Sequence, residues 1–173
     1  MLKILIIDDS RTIRKIVTQA LNKYGYNDTA EAGDGEEAYA LIKSDAFDCI
    51  FLDINMPVLD GFALLERLKG ESMLGELEVI LMSTEAKNLT EGELKKRGID
   101  NVIPKPFSLI EFERVAVSLL NIIEHKKELK SSGAIFDNFV IVTDDSYPMR
   151  RIVIKQLELF GSENIIQAEN GEI

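Results

Sequence analysis

Two apolar runs end abruptly in aspartate: KILIIDD at residues 3–9 and CIFLD at 49–53. Each has the pattern of a buried strand that delivers carboxylates to the edge of a sheet. Like charges gathered this way are costly unless something positive sits among them. Asp8, Asp9 and Asp53 are therefore the first candidates for function. Ser83 closes the run EVILMS, and Lys105 follows the short run NVI inside PKPF. Three carboxylates at one edge admit two chemistries. One is a hard-cation site, where Mg2+ is held by a few oxygens and keeps several waters. The other is acid–base work by paired carboxylates. A nearby ammonium and hydroxyl favour the first, because together with a metal they surround a transferred phosphoryl group. The carboxylate is then itself the nucleophile, as in aspartyl-phosphate chemistry. Taken singly, a strand-terminal Asp is often only a helix cap, and Asp9 or Ser10 is placed to cap a helix starting near residue 11. The joint placement carries the chemical reading.

The elements that must position these residues alternate. KILII is a strand, and Ile13, Ile16, Val17, Ala20 and Leu21 recur at helical spacing over 11–24. A weaker strand near 28–32 precedes a helix near 35–44. CIFLD is apolar on both faces, as in a buried parallel sheet. Helices near 61–70 and 87–97 flank EVILMS, and NVI is a fifth strand. The class is α/β: five strands alternating with helices predict a doubly wound parallel sheet. Ligands in such sheets gather beyond the carboxyl ends of the strands, where the five polar candidates fall. Ser108 and Glu111 have capping-box spacing at the start of the last helix of this unit. Phe112, Ala116, Leu119 and Ile123 form its apolar stripe, and it runs to about residue 130, until Ser131, Ser132 and Gly133 break it.

Composition narrows the classes. Of 173 residues, 46% are apolar, which is enough for a core. A net charge of -10, from 30 acids against 20 bases, disfavours nucleic acid and anionic lipid as direct partners. The single cysteine, Cys49, lies in an apolar run and excludes a disulfide framework, so a reduced cytoplasmic location is expected. No apolar run approaches the ~20 residues that span a bilayer.

After the last helix the chain repeats itself. FVIVTDDSYPMRRIV matches KILIIDDSRTIRKIV, and Asp144 and Asp145 stand 136 positions after Asp8 and Asp9 (144 − 8 = 145 − 9 = 136). Leu157, Gly161, Ala168 and Gly171 match Leu21, Gly25, Ala32 and Gly35 at the same offset. The repeat predicts a duplicated but incomplete βαβ unit.

With these residues in place, residues 1–124 resemble the receiver domain of two-component response regulators. LDINMPVLDG (52–61) resembles the segment around the family's phosphoacceptor. Asp8-Asp9 matches the acidic pair, Ser83 the hydroxyl of the fourth strand, and Lys105-Pro106-Phe107 the lysine motif. AEAGDGEEA (30–38) also fits. The resemblance implies a flavodoxin-like sheet of order 2-1-3-4-5. It divides the chain into a receiver (1–124), a helical extension and linker (125–138), and a partial second receiver of strand, helix and strand (139–173).

The resemblance also implies roles. Asp53 accepts a phosphoryl group from a histidine kinase or phosphotransfer protein. Mg2+ is bound by Asp9 and Asp53 directly, by Asp8 through water, and by the backbone carbonyl of Asn55. Lys105 pairs with Asp53 and then with the phosphoryl group, and Ser83 hydrogen-bonds a phosphoryl oxygen. Asn55 and Glu85 occupy positions that tune hydrolysis of the acyl phosphate. One position departs from the family. A Tyr or Phe commonly stands three residues before the lysine, and here it is Val102, which has no ring to swing. Output is then expected through the face of the fourth helix, fifth strand and fifth helix.

The expected function is a phosphoacceptor signalling module, not an enzyme beyond its own phosphorylation and dephosphorylation. The alternatives are a receiver-like scaffold or dimerisation module acting without phosphate, and a Mg2+-dependent phosphohydrolase. The hydrolase usually needs an acid two residues after its nucleophile, where this chain has Asn55. The second copy keeps Asp144-Asp145 but has no counterpart of Asp53 and cannot serve as a phosphoacceptor as it stands. A tandem receiver interrupted within its second domain is the first expectation. A half-domain that pairs with another chain is the second. Homodimers are expected through the fourth-helix/fifth-helix face or by exchange of the partial receiver.

Overall fold

β-branched and leucine-rich runs bounded by Asp, Gly and Ser set the strands, and capping residues start nearly every helix. The protein is described by a computed structural model covering residues 2–75, 77–85, 89–129, 140–144, 146–159 and 165–168. The elements in chain order are β1 (Ile4–Ile7), α1 (Arg11–Lys23), β2 (Thr29–Ala32), α2 (Gly35–Ser44), β3 (Cys49–Asp53), α3 (Gly61–Gly70), β4 (Glu78–Ser83), α4 (Glu91–Lys96), β5 (Asn101–Pro104) and α5 (Leu109–Leu129), then β6 (Val140–Thr143), α6 (Tyr147–Leu159) and β7 (Ile165–Ala168). By their contacts the residues divide within α5 into two units, Met1–Glu113 and Arg114–Ile173.

The first unit is built on a five-stranded, wholly parallel sheet of order β2-β1-β3-β4-β5. This is the doubly wound order anticipated above. Every residue of β1, β3 and β4 is buried, as two-faced coverage of a parallel sheet requires. Phe51 of β3 and Phe107 each lie against Phe112, with ring centroids 5.6 and 5.3 Å apart. The register pairs Ile7 with Leu52, so the residues that follow, Asp8 and Asp53, emerge side by side at the carboxyl edge.

Short caps keep the loops at that edge tight. Ser10, rather than Asp9, caps α1, accepting from the Ile13 amide. Asp34 caps α2 and Asp60 caps α3. Each such cap is worth about 1 kcal/mol. Thr90 and Glu93 form a reciprocal capping box at α4. That box fixes the helix start at Glu91, later than the apolar pattern alone suggests, and residues 86–88 lie outside the described residues. Ser108 and Glu111 bond reciprocally at the start of α5, which runs to Leu129. Its stripe residues Phe112, Ala116, Leu119 and Ile123 are all buried. The linker residues 130–139 lie outside the described residues.

In the second unit β6 and β7 pair in parallel, Val140 with Ile165 through Thr143 with Ala168. The bounds of β6, α6 and β7 stand 136 positions after those of β1, α1 and β2 (140 − 4 = 147 − 11 = 165 − 29 = 136). The register shifts by the same amount, since β1 pairs Ile4 with Thr29. Asp144 is described at the end of β6, whereas Asp145 lies outside the described residues.

Candidate functional site

The carboxyl edge of the first unit gathers four of the predicted residues. One carboxylate oxygen each from Asp8, Asp9 and Asp53 lie within 4.8 Å of one another. Asp8 and Asp53 are buried and Asp9 is exposed. Lys105, which follows β5, inserts its Nζ between the two buried acids, 2.7 Å from Asp8 Oδ2 and 3.1 Å from Asp53 Oδ1. The lysine thus bridges both acids, the closer being Asp8.

The local backbone holds these groups. The Ser10 amide donates to Asp8 Oδ1 at 2.9 Å, so both Asp8 oxygens are engaged. The Ile54 amide donates to Asp53 Oδ1 at 2.9 Å. Burial pushes the Asp53 carboxyl above its ordinary value of 3.8; the Lys105 ammonium and the Ile54 amide pull it back, and the Asp8 charge adds to the rise. Three carboxylates against one ammonium leave two negative charges uncompensated. The donor set is all oxygen, open on the Asp9 side, which suits a hard divalent cation.

Ser83, the last residue of β4, is fully buried. Its Oγ accepts from the Glu85 amide at 2.9 Å, and its carbonyl accepts from the Lys105 amide at 2.9 Å. It therefore ties the ends of β4 and β5 together at the edge that carries the acids. Glu85 and Asn55 are exposed on the loops two residues beyond Ser83 and Asp53. Val102 is buried in β5, opposite Leu81 of β4.

Gly61 has a role that its type alone conceals. A Cβ there would sit 2.3 Å from the Asp53 carbonyl oxygen, while its amide donates to the Ile54 carbonyl at 2.9 Å. The start of α3 is thus laid directly on the backbone that carries Asp53. Between them, exposed Val58 adopts φ 68°, a left-handed conformation rare for a β-branched residue.

Arg14 was not flagged by residue type, yet its guanidinium donates to the backbone carbonyls of Asp8 and Asp9 at 2.6 and 3.4 Å. The signal that would have found it is the repeat, in which Arg150 stands at the same offset.

A family model described as response regulator receiver domain matches residues 4–116. The chemotaxis protein CheY-3 of Vibrio cholerae serotype O1 is 38% identical over 107 residues, covering 62% of this chain and 82% of that protein. Among solved structures, chemotaxis response regulator CheY4 of Vibrio cholerae superposes with a TM-score of 0.61 at 31% identity, covering 71% of this chain and 98% of the other. The response regulator TrrA of Thermotoga maritima, solved in complex with Mg2+–BeF, gives a TM-score of 0.57 at 25% identity, covering 70% of this chain and 98% of the other.

Proposed function

The chain belongs to the response regulator receiver family, and from that premise we propose that residues 1–124 take a phosphoryl group onto Asp53 from a histidine kinase or phosphotransfer protein, with Mg2+. The observation that carries the proposal is the Lys105 ammonium bridging Asp8 and Asp53 beside the open carboxylate of Asp9. A carboxylate is a nucleophile only where its charge is tolerated and the incoming phosphoryl oxygens are neutralised.

In the proposed step a carboxylate oxygen of Asp53 attacks phosphorus and forms an O–P bond. The P–N bond to the donor imidazole breaks, and the imidazole keeps the electron pair and takes up a proton. Asp8, Asp9 and Asp53, with the Asn55 carbonyl, would hold Mg2+, which neutralises charge on the phosphoryl oxygens. Lys105 moves its ion pair from the acids toward the phosphoryl group. The Ser83 hydroxyl, now engaged by the Glu85 amide, turns to a phosphoryl oxygen. Asn55 and Glu85 flank the acyl phosphate and set its lifetime, which is short; persistence for many hours counts against this assignment. The module acts on no substrate but itself. Among the described residues no helix is long and apolar enough to cross a membrane.

Residues 139–173 are proposed to be the N-terminal part of a second receiver, joined through residues 125–138. The support is the common 136-residue displacement of three elements and one strand register.

A second reading, a receiver-like scaffold working without phosphate, is favoured by the buried aliphatic Val102 where the family commonly has a ring. Intact mass after incubation with Mg2+ and acetyl phosphate separates the two. A phosphate-sized gain in wild type that is absent in Asp53→Asn supports phosphoacceptance. No gain in wild type, in a chain that folds, favours the scaffold.

A further inference from the structure

Arg14 holds the acidic loop from behind. Its Nη1 donates to the carbonyls of Asp8 and Asp9, and its Nε donates to Glu31 of β2 at 3.0 Å. The other Glu31 oxygen accepts from the Thr18 hydroxyl at 3.2 Å. Glu31 is thus fixed from α1 on both oxygens, and it fixes the guanidinium in turn. On the far side of the loop the Ser10 amide and Lys105 take the two oxygens of Asp8. The loop between β1 and α1 is held from its carbonyls and from its side chains at once.

The second unit repeats the hook but not its brace, since Gln167 and Ile154 stand where the first unit has Glu31 and Thr18. Arg150 Nη1 donates to the Asp144 carbonyl, the Ser146 amide donates to Asp144 Oδ1 at 2.7 Å, and the Arg150 amide donates to the Ser146 carbonyl at 3.0 Å, as Arg14 does to Ser10 at 3.0 Å. Nothing among the described residues of that unit corresponds to Asp53 or Lys105. The hook therefore belongs to the strand–loop–helix element itself and does not depend on a completed pocket.

From this we infer that Arg14, braced by Glu31, is a positioning residue for cation binding: it fixes the backbone of the acid pair so that the Asp8 and Asp9 carboxylates converge with Asp53. The inference rests on the reading of the pocket as a Mg2+ site. It makes a prediction opposite in sign to simple electrostatics. A cationic side chain near the acids repels Mg2+, so deleting its charge should tighten binding. If its work is to hold the loop, deleting it should loosen binding, as loss of a group that orients metal ligands does.

The test is isothermal titration of the full chain with MgCl2, with the melting temperature without Mg2+ as the check on folding. Arg14→Ala and Arg14→Lys are both expected to bind about tenfold more weakly than wild type. Arg14→Lys keeps the charge but loses the fork that spans carbonyl and carboxylate. Glu31→Gln, which leaves the arginine but removes its ionic brace, is expected to lose a smaller factor. Unchanged or tighter binding by folded Arg14→Lys overturns the inference alone. Absence of Mg2+ binding by wild type overturns the metal reading and the inference with it.

Discussion

Asp53 is held between opposing influences. Burial and the Asp8 charge raise its pKa, while Lys105 and the Ile54 amide lower it, with burial the largest effect. A folded-state pKa above the unfolded value means that the folded chain binds more protons than the unfolded chain between the two. Stability then falls as pH rises through that window. Ionised Asp53 is thus a standing cost to the metal-free fold near neutral pH. Asp53→Asn is expected to raise the urea midpoint at pH 7 without Mg2+, with the gain shrinking as pH falls through that window and gone once pH is below 3.8, the ordinary aspartate value. A lower midpoint for the variant at pH 7 would show that the Lys105 ion pair outweighs desolvation. Lys105 remains paired with Asp8 in that variant, because its contact there is the shorter of the two. These acids were legible in the sequence because an apolar strand that ends in aspartate leaves its carboxylate no other place to go. Arg14 was not legible by the same logic. Its partners are backbone carbonyls, which carry no residue signature, and a lone arginine on an amphipathic helix reads as a solvated face.

At the scale of elements, the loop from β3 to α3 stores what the site requires. Gly61 lies so close to the Asp53 carbonyl that any side chain forces α3 or the end of β3 to shift. Gly61→Ala is expected to cost about 1–3 kcal/mol in urea unfolding and to slow phosphorylation, since the displaced atom is bonded to the Asp53 backbone. Val58 is the opposite case. Its left-handed backbone carries a strain of about 1–2 kcal/mol, and glycine there adds an unfolded-state entropy cost of about 0.5–1 kcal/mol. Val58→Gly should therefore stabilise the fold by roughly 0.5–1 kcal/mol. A loss of stability would mean that the exposed Val58 side chain is held by contacts of its own. Neither glycine-for-contact nor left-handed valine is visible in periodicity, because both depend on where a distant backbone passes. The strands and helices were far more legible. β3, β4, α2 and α3 have the bounds their apolar runs and caps suggest, since buried parallel strands and amphipathic helices write their burial into residue order. α4 was the exception: in its sequence EGELKK, Leu94 is the one buried residue among positions 92–96, and the Thr90 capping box marks its start.

At the scale of the whole molecule, the two units share one local design but differ in how much sheet supports it. β1 is paired on both sides, by β2 and β3, and lies within a core in which every residue of three strands is buried. β6 pairs with β7 in a two-stranded sheet, an arrangement that is marginal in isolation. On α6, Val153 is exposed where its counterpart Val17 on α1 is fully buried, while Ile152 and Ile154 are buried where Ile16 and Thr18 are half-buried, so α6 buries a different face from α1. Opening free energies follow such differences in burial. Hydrogen exchange on the intact chain should find the amides of β1, β3 and β4 protected to near the global stability, and those of β6 and β7 exchanging earlier. Mg2+ then provides the sharper contrast, because a ligand stabilises only the states that bind it. At 100 times its dissociation constant it should add about 2.7 kcal/mol to the protection of β1 and β3, whose ends carry Asp8, Asp9 and Asp53. Among the described residues nothing beside Asp144 corresponds to Asp53 or Lys105, so β6 and β7 amides should be unchanged. Equal protection of both units by Mg2+ would require a cation site in the second unit, and no protection of either would remove the cation from the first.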